Sequence, residues 1–213
     1  MEKNKQARIF RLYVVSLLLL VGLCSLGGGI MWYLSRSRSD TLNLSKSTVN
    51  ETPVPSKRDV DYTQLREYLH QKDWKKADRE TYLRLLEAAG PKAQANGMIP
   101  QDEMDNLSCS DLKTIDQLWS KATNGQQGFT VQVNILKALS DYRQMYAKVG
   151  WQELPPSNQW LFQWTYNTQT KRMEFVKGKE PNYLNPPPGH LPTVEIGYNI
   201  NVAFSGALTR CNF

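Results

Sequence analysis

Histidine is nearly absent from the 213 residues: His70 and His190 are the only two. Three cysteines, Cys24, Cys109 and Cys211, stand far apart, with none of the short spacings that hold zinc. A His/Cys metal centre is thereby excluded. An odd cysteine count with one member in an apolar run predicts free thiols in a reducing compartment, not a disulfide framework. There is no Gly-rich phosphate loop, no nucleophile elbow, no Ser/His/Asp set and no internal repeat. Hydrolytic and nucleotide-driven chemistry therefore has no footing, and the chain reads as a non-enzyme.

Negative charge is scarce only in one place. The chain carries 26 Lys/Arg and 20 Asp/Glu, a net charge of +6. Nine of those cations and three of those carboxylates precede Asp59, leaving seventeen of each sign from there onward. The folded part is thus electrically balanced and lacks the basic footprint that phosphate backbones require, so nucleic acid is not expected as a partner.

Residues 12–34 contain no charge at all. At about 1.5 Å of rise per residue, this run of about 23 residues would cross the roughly 30 Å hydrocarbon layer as a helix. Trp32 and Tyr33 stand at its end, where amphipathic rings favour the headgroup region. The expected organisation is a basic tail (1–11), a transmembrane helix (12–34), a Ser/Thr/Pro-rich flexible linker (35–58) and a helical domain (59–213). A cleaved signal peptide is the alternative, with Ser25-Leu26-Gly27 as a poor cleavage site; the apolar run continues past it through Ile30 to Leu34, which favours a retained anchor. Lys3, Lys5, Arg8 and Arg11 upstream compete with Arg36 and Arg38 downstream in fixing sidedness. The thiols favour a single-pass protein with its domain on the cytoplasmic or stromal side.

What is abundant is helical periodicity. Tyr62, Leu65 and Leu69 form one stripe; Trp74, Ala77, Thr81 and Leu85 form a second, capped by Asp73 and ending at Gly90-Pro91. Pro100 opens a short turn with Asp102 and Glu103 near its start. Ser108 with Asp111 resembles a capping box ahead of Leu112, Ile115, Leu118 and Trp119. Thr130 is placed to cap a long helix through Tyr146, with Val131, Ile135, Leu139 and Tyr142 inward. Trp160, Phe162, Trp164 and Tyr166 then alternate with polar or smaller residues, a strand pattern, and Met173 and Phe175 pair back after a turn. Residues 194–202 alternate too, and 204–213 fit a short helix. The fold class is mainly α: a helical bundle with a small β-hairpin insertion, preceded by one transmembrane helix.

Several pieces, in order, carry a resemblance: Trp74-Lys75-Lys76-Ala77-Asp78-Arg79-Glu80-Thr81; Cys109-Ser110-Asp111-Leu112, continuing to Ile115-Asp116-Gln117-Leu118-Trp119; Gly128-Phe129-Thr130-Val131-Gln132; Val149-Gly150-Trp151; and Gly189-His190-Leu191-Pro192. Together they resemble the Genomes-Uncoupled-four family, porphyrin-binding regulators of magnesium chelatase in oxygenic phototrophs. The resemblance implies a cupped helical domain that holds protoporphyrin IX or magnesium-protoporphyrin IX as bound ligand, binds no metal directly, and has a magnesium chelatase subunit as partner. Two departures stand out: a longer, hairpin-like stretch precedes Gly189, and Pro188 stands where the family often has a basic residue.

A flat apolar ring with propionate tails needs aromatic and aliphatic walls. Phe129 and Trp151, beside matched glycines, are candidates for such walls or plain core aromatics. Trp160 with Trp164 forms a palm or one hairpin face; Val131 and Leu118 line the ligand or the core. His190 either ligates the ring's metal or orders the Pro-rich loop. His70 is expected at the surface, and Asp78, Glu80, Asp111 and Asp116 are expected as helix caps and surface ion pairs.

Overall fold

The computed structural model describes residues 58–104, 106–157, 159–193 and 204–213. The tail, the 12–34 segment and all of the linker but Arg58 lie outside these, as does the alternating 194–202 stretch. Among the described residues, no helix is long and apolar enough to cross a membrane.

Eight helices and one hairpin follow in order: α1 (Thr63–His70), α2 (Trp74–Ala89), α3 (Pro91–Asn96), α4 (Gln101–Met104), α5 (Cys109–Ala122), α6 (Phe129–Leu139), α7 (Tyr142–Lys148), β1 (Trp164–Asn167), β2 (Arg172–Phe175) and α8 (Ser205–Arg210). The architecture is mainly helical with one small antiparallel sheet. Asp73 caps α2 by accepting from the Lys76 amide at 3.2 Å. Gly90, at φ +124°, ends it and turns the chain directly into α3, whose first residue is Pro91. The sequence pattern ended at this Gly-Pro pair and missed the short helix beyond it.

Helices α1, α2 and α5 enclose the main core, where Leu65, Leu85, Leu112, Ile115 and Trp119 are all fully buried. Burying each such side chain contributes about 1.5–3 kcal/mol, which makes this layer the principal stabilising unit. The polar atom of its largest member is satisfied: the Trp119 indole donates to Thr81 Oγ1 at 2.9 Å.

All four carboxylates expected as caps and surface ion pairs are buried instead. Asp111 accepts from the Tyr62 hydroxyl at 2.8 Å, joining α5 to α1. The Ser108 hydroxyl meets Ser110 and makes no cap bond, so the expected capping box does not form. Asp78 accepts from the Thr193 amide and hydroxyl and from the Tyr183 hydroxyl. Burial raises the Asp78 carboxyl above its ordinary value, and those donors oppose the rise. Asp116 takes the Thr130 amide at 2.9 Å and its hydroxyl at 2.6 Å. Only Glu80 keeps the expected ion pair, with Arg84 one turn on. A carboxylate on a helix stripe has the same spacing whether it faces solvent or a distant hydroxyl, so periodicity could not separate them.

The expected long helix from Thr130 to Tyr146 is two. Ser140 adopts a left-handed conformation at φ +55° and ends α6; Asp141 then caps α7 through the Gln144 amide at 2.9 Å. Gly128 rather than Thr130 is the first residue of α6's cap. Its φ of +117° and its closeness to α5 both demand glycine, because a β-carbon there would stand 2.7 Å from Asp116 Oδ1.

The thiol expectation is overturned. Cys109, opening α5, and Cys211, just after α8, form a disulfide across 102 residues. That distance in sequence hid the pair, since spacing reveals only local frameworks. The thiols therefore no longer argue for the side of the membrane.

The hairpin forms as its alternation predicts, with Trp164 opposite Phe175 and Tyr166 opposite Met173. Its regular part starts at Trp164, later than the pattern suggests; Trp160 makes an isolated bridge to Gln152. Tyr82 fixes the hairpin to α2, donating to the Gly97 carbonyl at 2.6 Å while accepting from the Met173 amide at 3.1 Å.

Candidate functional site

Beside the main core lies a second apolar cluster, in which α6 and α7 meet the hairpin. Met145, Tyr146, Val149, Trp151 and Phe162 are its buried centre. Ile135, Leu139, Trp160, Trp164 and Phe175 pack on it while remaining half-exposed. Aromatic rings run through it in sequence. Tyr146 stacks on Trp151 at 5.7 Å and meets Trp160 at 5.5 Å; Trp160 meets Trp164 edge-on at 5.4 Å; Phe162 meets Phe175 edge-on at 5.6 Å.

The loop 186–192 lies at one end of this cluster, and Gln127 and Gln132 hold it there. Gln127 donates to the Pro187 carbonyl at 3.0 Å and accepts from the Leu191 amide at 2.8 Å. Gln132 donates to the carbonyls of Gly189 and Pro192. Gly189 (φ +75°) lies against α6 so closely that a β-carbon would stand 3.1 Å from Ile135 and 3.5 Å from Val131.

His190 is buried in that loop. Its Nε2 accepts from the Asn182 amide at 3.1 Å, so the proton sits on Nδ1 and goes to the Val149 carbonyl at 2.6 Å. Burial lowers its pKa below the usual histidine range, the Val149 bond opposing, and the ring stays neutral. Both nitrogens are engaged within the protein.

The six candidate residues divide. Trp151 and Trp160 belong to the aromatic cluster, His190 meets it through Phe162, and Val131 lies beside Gly189 in the adjoining loop. Phe129 and Leu118 belong to the main core; Phe129 sits edge-on to Phe204 and Phe213. Tyr146, Phe162, Ile135, Leu139 and Phe175 are cluster members that sequence reasoning did not single out. Tyr142 and Tyr146, four residues apart, and the one-faced alternation of 160–166 were the available signals.

Two hollows border these elements. A polar one of about 240 Å³ lies between α2 and the hairpin, where Lys75, Arg79, Glu174 and Glu180 line it with Tyr82 and Tyr183. Its charges largely answer one another: Lys75 faces Glu180 at 3.5 Å, and Arg79 donates to the Met173 carbonyl. The other is apolar, lined by Val133, Leu136, Tyr142, Met145, Tyr146 and Trp151, and only about 40 Å³ remains of it. Phe204, Ser205 and Leu208 close its far side. A ligand pocket for a molecule of ordinary size needs on the order of 300 Å³ or more.

Residues 55–202 match the GUN4-like family model. This chain belongs to the GUN4-like family. Among curated relatives, a Ycf53-like protein from Synechocystis sp. is 29% identical over 154 residues, covering 72% of this chain and 59% of the relative. The chloroplastic tetrapyrrole-binding protein of Arabidopsis thaliana is 30% identical over 129 residues, 60% of this chain and 46% of the relative. The chain thus spans about half of the curated relatives' length. The ligand-free structure of Arabidopsis thaliana GUN4 superposes with a TM-score of 0.50 at 26% identity, covering 69% of this chain and 89% of that one. A GUN4 structure from Chlamydomonas reinhardtii gives 0.54 at 24% identity, covering 74% and 92%, a likeness of fold. The whole aromatic cluster falls within the matched residues, whereas α8 and Cys211 lie beyond them.

Proposed function

We propose that this GUN4-like chain binds a porphyrin, protoporphyrin IX or its magnesium complex, against the aromatic surface formed by α6, α7 and the hairpin. The observation that carries this is the half-exposed set of Ile135, Leu139, Trp160, Trp164 and Phe175, gathered within the family-matched residues. A porphyrin face needs flat apolar partners, and these supply them. Arg143 and Lys148, exposed on α7, are the cations that would meet the propionates. The protein holds and presents the ring and does not transform it. Its relative's name, tetrapyrrole-binding protein, supports the same reading.

The finer reading is that the domain, tethered to a membrane by residues 12–34 on the cytoplasmic or stromal side, delivers the ring to a magnesium chelatase subunit. Titration of the full chain in detergent with protoporphyrin IX should quench tryptophan emission saturably, with Kd of roughly micromolar or below. Trp160→Ala should weaken binding about tenfold, and added protein should raise magnesium insertion by purified chelatase. A chain that never quenches saturably, oxidised or reduced, sinks the proposal.

One observation favours a second reading. The apolar hollow of about 40 Å³ admits no macrocycle. A family member that keeps the fold as a membrane-tethered interaction domain would capture a chelatase subunit yet leave porphyrin fluorescence unchanged.

A further inference from the structure

Helix α8 packs on α5 and α6, and its Ser205 end reaches Tyr142 of α7 at the edge of the candidate site. Phe204 and Leu208 are buried there, and the Ser205 and Tyr142 hydroxyls meet at 2.7 Å. With α8 in place, the hollow it shares with Val133, Leu136, Tyr142, Met145, Tyr146 and Trp151 measures about 40 Å³. The closure is imperfect: Tyr146, on the groove wall, has a buried hydroxyl with no hydrogen-bond partner among the described residues. A buried phenol left in this state is costly, and an opened groove would return it to water or to the polar edge of a ligand.

Packing and a tether together keep α8 there: Phe204, Ala207 and Leu208 are buried in the main core, Phe204 edge-on to Phe129. Six residues are far too few for a helix to persist by itself. The Cys109–Cys211 disulfide ties its end to the start of α5. Arg210 adds a bond from Nη2 to the Leu107 carbonyl at 2.9 Å, and Lys137 reaches the Phe213 carbonyl at 2.6 Å. The disulfide keeps the local concentration of α8 at the groove high; without it, the helix is held by its side-chain packing and polar contacts without a covalent link. Cys211 is buried whereas Cys109 is half-exposed, so an incoming thiolate meets Cys109 first, beside the Arg210 guanidinium 3.5 Å from its Sγ.

We propose that α8 is a disulfide-pinned cover over the apolar groove, and that reduction of Cys109–Cys211 by a dithiol releases it and extends the porphyrin-binding surface into that groove. One thiolate of the dithiol attacks Cys109 Sγ, and the S–S bond breaks with Cys211 leaving as thiolate. The second thiol of the reductant then displaces Cys109, giving two protein thiols and one oxidised reductant. The inference rests on the binding reading above and supplies its control: closed when oxidised, open when reduced. On the cytoplasmic or stromal side, such a disulfide forms and breaks with the redox state of the compartment.

The test uses the full chain in detergent, oxidised or treated with dithiothreitol, titrated with protoporphyrin IX. Amide hydrogen exchange is read in parallel without ligand. Reduction should tighten binding about tenfold or more and strip protection from residues 204–213 while α1, α2 and α5 stay protected. A Cys109→Ser/Cys211→Ser protein should behave as the reduced form whether or not dithiothreitol is present. Phe204→Ala/Leu208→Ala, which loosens the cover with the disulfide intact, should bind more tightly than wild type when oxidised. Equal affinity in both redox states overturns the cover and leaves the binding reading standing. Exchange that becomes fast throughout the domain on reduction also overturns it, making the disulfide a general staple. Absence of binding in every arm overturns both.

Discussion

The Trp151 indole donates to the backbone carbonyl of His190 at 2.8 Å, while the His190 ring bonds the carbonyl of Val149, two residues before that same tryptophan. Each residue thus fixes the other's segment: the loop holds the end of α7, and the end of α7 holds the loop. Two separate family motifs turn out to be the halves of one clasp. Trp151→Phe keeps the apolar ring and removes the donor, leaving the His190 carbonyl unpaired in a buried place. It should cost about 1–3 kcal/mol, read as a lower urea midpoint with unchanged slope.

The buried His190 gives the domain a pH dependence of definite sign. Its folded pKa lies below the ordinary value of 6.5, so the unfolded chain binds more protons in the window between the two. The stability it contributes is complete above about pH 6.5 and declines as pH falls toward the folded value. Urea midpoints measured from pH 7.5 to 5 should fall more steeply for wild type than for His190→Gln. Parallel slopes would show that the ring is not held neutral.

Tyr82 should act as the rivet between α2 and the hairpin. Tyr82→Phe strands the Gly97 carbonyl and the Met173 amide together, so a loss of about 1–3 kcal/mol is expected, with faster amide exchange concentrated in β2. Gly97→Ala should be worse. Its φ is +65°, and a β-carbon would come within 2.0 Å of the Lys171 carbonyl oxygen. Poor expression or a loss above about 3 kcal/mol, seen by thermal melting, is the expected outcome.

How much of this was readable in advance depends on how far apart the interacting residues lie. The stripe Leu65 and Leu69, the Asp73 cap and the Met173–Tyr166 pairing are local, and their periods announce them. The division at Ser140-Asp141 was missed because Ile135, Leu139 and Tyr142 continue a helical stripe across a helix end, and the capping Asp141 was the overlooked sign. Asp78, Asp116 and the Cys109–Cys211 pair depend on partners at a distance that no spacing encodes. Family motifs pointed to Trp151 and His190 but gave no hint that they bond to each other. Phe129, equally well marked by its motif, belongs to the main core because α8 and the C-terminal Phe213 come to cover it.

Disulfide removal offers a stability prediction separate from ligand binding. A cross-link over 102 residues restrains a long loop of the unfolded chain. Cys109→Ser/Cys211→Ser should therefore lose about 2–5 kcal/mol against oxidised wild type, and dithiothreitol should remove that difference. A midpoint gap that persists under reduction would trace the loss to packing at the serines.

Asp78 on α2 accepts both the amide and the hydroxyl of Thr193, 115 residues further along. During synthesis, α1, α2 and α5 emerge and can settle against one another long before Thr193 leaves the ribosome. The carboxylate must wait, meanwhile hydrated, for residue 193 to arrive. Released chains truncated near residue 150 should thus already protect the main helices from protease, while the ring-bearing surface takes shape only once residues 160–193 are present.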